Sequence, residues 1–208
     1  MIMSDTFIIS IAGYKRIAVA FGLFILFSIA EWDLFRLLAF FAILFFVFIY
    51  RNPEREIPYL QKGAVLSPVD GKVIAINTLD NGFEVVVRSS LADCSILRSP
   101  ILSKVKSYHI RHGARLSTDV RKSMLLNEKV EIDFEDSKNN VIHVEHILDN
   151  SIDDIMINLH PDYEINQGKR YGVMTKGKSI IRFPLSSRLS LHVGSHLKAG
   201  ESLMGYIS

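Results

Sequence analysis

The chain has 208 residues, 24 lysines and arginines against 22 acids, and a formal net charge of +2. So small a charge gives no bulk-electrostatic reason for a nucleic-acid partner, and none is expected. The single cysteine, Cys94, excludes an internal disulfide and a four-cysteine metal site, and fits a reducing compartment. The length suits one modest domain plus an appendage, and most of the thirteen phenylalanines lie before Tyr50.

Residues 17–30 read IAVAFGLFILFSIA without a charge, and after EWDLFR the apolar run resumes over residues 37–50 as LLAFFAILFFVFIY. Each run is shorter than the ~20 residues that cross a bilayer core. The first lengthens if it begins near Phe7 with Lys15 and Arg16 snorkelling, the second if it begins at Trp32 with Arg36 doing likewise. A cleaved signal peptide is disfavoured, because a second apolar run follows at once with no small-residue cleavage site between them. The expectation is a transmembrane helical hairpin over residues 1–51. Lys15 and Arg16 lie before the two apolar runs, Arg51 and Arg55 after them, and the turn between carries Glu31 and Asp33, with Arg36 the one exception. The positive-inside bias then places both ends, and the domain that follows, on the cytoplasmic side of the inner membrane.

RNPEREIP, with two prolines, is an extended exit. GAVLSPVDGKVIAI reads as strand, Asp70–Gly71 turn and strand, and FEVVVRSSLADCSILRSP, KVEIDFED, NVIHVEHIL and DDIMINLH continue at short spacing. ARLSTDVRKSMLLNEK has helical spacing, with Leu116, Val120, Met124 and Leu125 on one face and Ser117 or Thr118 as its cap. Gly194, Gly200 and Gly205 punctuate short strands near the end. Residues 52–208 are therefore expected to form a mostly β, barrel-sandwich-like domain with one or two helices.

The apolar pair, YRNPERE, SPVDGKV, Asn127–Glu128, GKRYGV and VGSHLKAGESL, in this order, resemble the phosphatidylserine decarboxylase family of the short bacterial and archaeal type. The resemblance covers nearly the whole chain. It implies an internal Gly-Ser bond that cuts itself, leaving the serine as a pyruvoyl group on a short C-terminal chain. That carbonyl is the electron sink for α-decarboxylation, which no unmodified side chain supplies. It also implies conversion of phosphatidylserine to phosphatidylethanolamine, a membrane phospholipid (phosphatidylserine or another anionic lipid) as partner, and Asp70 as the aspartate serving self-cleavage. A homodimer is left open.

The reactive positions depart from the family's pattern. Laid colinearly, its Arg-Phe-Gly-Ser-Arg-like segment meets Thr175-Lys176-Gly177-Lys178-Ser179, so Lys178 stands at the nucleophile's place and Ser179 follows it. Ser186-Ser187-Arg188 is the rival placement, and Gly194–Ser195 matches by letters only. Ser95 stands where the family carries the histidine that assists decarboxylation. The candidate catalytic residues are Asp70, Ser179 and Ser187, with Ser179 as source of the pyruvoyl group; the departures themselves predict little or no self-cleavage. The alternative is an uncleaved homologue that binds anionic phospholipid or a partner enzyme; a membrane-tethered assembly scaffold is a third reading.

In HVEH, strand alternation puts His143 and Glu145 on one face and His146 on the other, which argues against a three-ligand metal site. His109 and His112 are candidate acid–base groups, though a basic surface is the better reading. From Arg98 to Lys129 eight lysines and arginines meet two acids, Asp119 and Glu128. Beside a membrane exit, such a segment is expected to attract anionic headgroups, at ~1 kcal/mol per basic residue near the surface.

Overall fold

A computed structural model describes residues 9–58, 62–119 and 123–208. Two helices come first, α1 (Ile11–Ile29) and α2 (Asp33–Ile49). Phe24 and Phe40 bring their rings to 6.4 Å across the pair. Gly13 leaves room for Tyr50, since a Cβ there would lie 2.5 Å from the Tyr50 Cβ. By length and composition α1 could cross a membrane, whereas α2 has 17 residues; Phe7, the expected start of the first run, lies outside the described residues.

Fourteen strands follow among the described residues: β1 (Ala64–Leu66), β2 (Gly71–Leu79), β3 (Gly82–Ser89), β4 (Ile96–Arg98), β5 (Ser103–Arg111), β6 (Lys129–Glu135), β7 (Val141–Leu148), β8 (Met156–Ile157), β9 (Glu164–Ile165), β10 (Arg170–Val173), β11 (Gly177–Pro184), β12 (Arg188–Leu189), β13 (His196–Leu197) and β14 (Leu203–Tyr206). The large sheet has eight strands in the order β13-β2-β3-β11-β7-β6-β5-β9, and two three-stranded sheets, β1-β14-β12 and β4-β10-β8, accompany it. All the pairings within these sheets are antiparallel. The mostly β expectation is met.

Period-two alternation sets the core face. In β6, Val130, Ile132 and Phe134 are fully buried while their neighbours are half-buried. They join Val85, Val87, Val144, Ile181 and Tyr171 in one apolar cluster, where the Phe134 and Tyr171 rings lie 5.5 Å apart.

Two local expectations change. The Asp70–Gly71 pair does not close a hairpin: β1 pairs with β14, whereas β2 pairs with β3 and β13. The expected helix from Ser117 shrinks to one turn, α3 (Ser123–Leu126), and residues 115–117 are not helical. The Asn127 side chain accepts from Leu116 N–H at 3.0 Å and donates to the Leu116 carbonyl at 2.7 Å. Thr118 bonds the Asp149 carboxylate through its N–H and hydroxyl. Side-chain bonds of this kind compete with helix formation. Val120, Arg121 and Lys122 lie outside the described residues.

Truncating Phe134 to alanine should cost about 3–5 kcal/mol, read as a lower denaturation midpoint with an unchanged slope. A loss below ~1 kcal/mol would contradict the placement of this ring at the centre of the core.

Candidate active site

Asp70 is fixed by the sequence that precedes β2. Its two carboxylate oxygens each accept from the Arg55 guanidinium at 2.6 Å. Ala199 N–H donates to one of them at 2.8 Å and Cys94 N–H to the other at 3.4 Å. Burial works against the charge on Arg55, and the hydrogen bond and attraction of Asp70 outweigh it, raising the Arg55 pKa. Burial pushes the neighbouring Cys94 thiol up. Arg55 also donates to the Ala199 carbonyl at 2.8 Å. Asp70 is thus held by a bidentate charge-assisted pair, and among the described residues no hydrogen bond links its carboxylate to any candidate serine.

Ser179 is fully buried on β11. The register sets it opposite His146 of β7, so the two side chains share a face. Ser179 Oγ lies 2.7 Å from His146 Nδ1, and His146 Nε2 lies 2.6 Å from the Tyr171 hydroxyl. His146 and Tyr171 are fully buried as well, and three polar side chains satisfy one another inside an apolar cluster. Burial drives the His146 pKa down to about 3 and pushes the Tyr171 phenol up. The imidazole is neutral at physiological pH, with one bare nitrogen and one N–H.

Lys178 occupies the other face of the same strand. It is buried, stands opposite Arg88 of β3, and donates to the Thr118 carbonyl at 3.1 Å. Arg88 in turn meets Asp119 at 2.7 Å. Ser95 is buried and donates to the Ile49 carbonyl at 3.2 Å, which joins its loop to the end of α2.

Ser187 is buried in the turn between β11 and β12, where its N–H donates to the Pro184 carbonyl at 3.0 Å. Among the described residues its hydroxyl has no polar partner. Ser195 shapes a turn: its Oγ accepts from His192 N–H at 3.3 Å, and Gly194 before it has φ +97°. His143 pairs with Asp133 at 2.7 Å, and His112 lies 3.6 Å from Glu128. In the basic segment, Lys104 meets Asp162 and Lys106 meets Glu135, both at 2.7 Å, Arg115 pairs with Asp154, Lys129 pairs with Glu131 and Glu145, and Arg98 is buried. These described cations face local acids or the interior, and do not make one free cationic face. Arg16, expected to snorkel, is paired with Asp153, which also accepts from the Tyr50 hydroxyl.

His146 and Tyr171 are not among the candidates that the sequence singles out. Both lie in motifs visible in the chain, HVEH and GKRYGV, but only the strand register brings them to Ser179.

Residues 42–205 match the family model for phosphatidylserine decarboxylase. The phosphatidylserine decarboxylase proenzyme of Chlorobaculum parvum is 30% identical over 170 residues, 78% of each chain. That of Desulfotalea psychrophila is 25% identical over 203 residues, 94% of each chain, and that of Ehrlichia canis 26% over 170 residues, 77% of this chain and 75% of the relative. No solved structure gives a significant match. The chain belongs to the phosphatidylserine decarboxylase family, lyases of phospholipid biosynthesis.

The depressed His146 pKa carries a pH dependence. Below its ordinary value of 6.5 the unfolded chain takes up a proton that the folded chain refuses until about pH 3. Stability is therefore full above pH 6.5 and falls as pH drops through this window, by up to ~1.4 kcal/mol per unit. His146→Gln should flatten the His-dependent part of that slope in pH-stepped denaturation. An identical slope in the variant would contradict the buried neutral imidazole.

Proposed function

We propose that this chain is a membrane-anchored, pyruvoyl-dependent decarboxylase converting phosphatidylserine to phosphatidylethanolamine, with Ser179 as the residue from which the group is made. One observation carries the reading. Gly177 pairs with Ser89 across β11 and β3, and Ser89 Oγ donates to the Asp70 carbonyl, so the stretch matching the family's cut and the stretch matching its aspartate are neighbours. Ser179 fits the group's origin: a serine hydroxyl two residues after that glycine, with a ring nitrogen at 2.7 Å. Ser187 fits less well, because no nitrogen base is bonded to its hydroxyl among the described residues. The pyruvoyl carbonyl would supply the electron sink as CO₂ leaves.

The anchor in this reading is residues 1–51, with α1 and α2 crossing the bilayer as a hairpin, and residues 52–208 form a barrel-sandwich-like unit on the cytoplasmic face. Support comes from the exposed apolar surface of both helices, including Val19, Leu26, Leu38 and Phe41. A cavity of about 470 Å³ between them, with Lys15 and Asp153 at its lining, suits a lipid.

The second reading, an uncleaved homologue that binds anionic phospholipid or a partner enzyme, rests on Lys178 at the nucleophile's colinear place, on Ser95, and on the Arg55 clamp on Asp70. Purified full-length protein in detergent, mixed with phosphatidylserine micelles, separates the two. The decarboxylase reading expects CO₂ release that Ser179→Ala abolishes. No release from the wild type, together with retained binding to anionic vesicles, supports the second reading. The anchor is tested by protease added to sealed vesicles: sites after residue 51 should be cut only from the cytoplasmic side, and cutting from the opposite side alone would refute the orientation.

A further inference from the structure

We propose that His146 is the base that draws the proton from Ser179 Oγ in self-cleavage, with Tyr171 positioning its ring; this rests on the reading of Ser179 above. Strand geometry makes a new base necessary. Successive side chains of a strand point to opposite faces, so a one-residue shift carries a group across the sheet. Lys178, at the family's nucleophile place, points to the face of Arg88 and the Thr118 carbonyl. Ser179, one residue later, points into the core beside His146 and Tyr171. A serine moved to that face leaves behind whatever base served the first position.

Asp70 does not reach across. Its carboxylate oxygens are taken by Arg55, Ala199 N–H and Cys94 N–H. His146 meets the geometric demand on a general base, a heavy-atom separation within 2.6–3.2 Å of the proton's owner, at 2.7 Å. Nδ1 is the nitrogen that must be bare, so Nε2 carries the proton and donates it to the Tyr171 oxygen at 2.6 Å. Burial keeps the resting imidazole neutral and that lone pair free. An apolar triplet would fill the same space without three desolvated polar groups, so packing alone gives no reason for this chain of bonds.

The steps balance without an outside oxidant. Ser179 Oγ, giving its proton to His146, attacks the carbonyl carbon of Lys178. The Lys178 C–N bond breaks, the imidazolium returns the proton to the Ser179 nitrogen, and an ester replaces the amide. The ester Cβ–O bond then breaks as the Ser179 Cα proton leaves with the departing Lys178 carboxyl group, and dehydroalanine remains. Its tautomer takes up one water and releases ammonia, giving the pyruvoyl end. Only that last hydrolysis needs a molecule from outside, so a nucleophile buried in the core is compatible with the sequence of events.

The test follows purified full-length chain in detergent by time-resolved intact mass. The wild type should yield a C-terminal chain that begins at residue 179 and is blocked to N-terminal sequencing. His146→Gln should slow its appearance by ~100-fold or more, the scale of a lost general base. Ser179→Cys placed in the His146→Gln background should restore scission at the same bond in the presence of hydroxylamine, because a thiol needs less help from a base; a merely structural histidine would not be bypassed in this way. Tyr171→Phe, which removes one oxygen, should slow the wild-type cut and covers the case in which His146→Gln fails to fold. Four results overturn the inference: a His146→Gln or Tyr171→Phe chain that cuts at the wild-type rate, no restoration by cysteine in a folded double variant, arrest by Asp70→Asn with none by His146→Gln, or a wild type that stays whole. The last also sinks the decarboxylase reading, whereas a wild type cut at residue 179 without help from His146 sinks this inference alone.

Discussion

The ion pair between Arg55 and Asp70 is the tie on which the arrangement of helices, β domain and site depends. Both side chains are about nine-tenths buried, at 7% and 10% exposure. Removing one partner would leave a buried charge uncompensated, at a cost of about 3–5 kcal/mol. Around this pair the exit segment is fastened by further cations. Arg170 donates to the Asn52 side chain at 2.7 Å and to Glu54 at 2.8 Å, and Arg98 donates to the Pro53 carbonyl at 3.1 Å. Burial first, then the positive charges of Arg170 and Arg55, lower the Arg98 pKa to about 10, which leaves it charged at neutral pH. The path out of α2 is therefore pinned to the strands rather than loosely tethered.

The same tie has a chemical consequence. An aspartate held at both oxygens by a guanidinium serves structure, and a buried carboxylate with its acceptor positions filled is a poor proton acceptor for a serine elsewhere in the sheet. The stretch that holds Ser179, the serine proposed as reactive, and the aspartate that the family resemblance points to are brought near each other through Ser89 and Gly177, yet no hydrogen bond joins the carboxylate and the hydroxyl. Under the proposal, a proton leaving Ser179 Oγ goes to a group on the core face, and His146 Nδ1 stands there at 2.7 Å.

Much of the fold could be read from the chain. The apolar runs become α1 and α2, and the alternation in KVEIDFED becomes the inward row Val130, Ile132 and Phe134. The order of the family's motifs marks Asp70, Ser95 and the Gly177–Ser179 stretch in the sequence itself. What the sequence could not carry was long-range register. Asp70–Gly71 has the letters of a hairpin turn, but β1 is taken by β14, far along the chain. Leu116, Val120, Met124 and Leu125 have helical spacing, but the Asn127 and Asp149 side chains bond backbone groups of Leu116 and Thr118, in competition with a helix. The bond between His146 and Ser179 spans 33 positions, and no local pattern announces it, because it exists only once β7 and β11 pair in one particular register.

The central claim is that the Lys178–Ser179 bond is the one this chain breaks, and peptide mapping tests it most directly. The full-length protein would be digested with a protease that ignores lysine, so that the bond is not cut by the reagent, and the peptides around it weighed. The account predicts a peptide starting at residue 179 whose first residue is one ammonia lighter than serine, together with a peptide ending at Lys178. An unbroken peptide bridging Lys178 and Ser179, found alone after prolonged incubation, would contradict it.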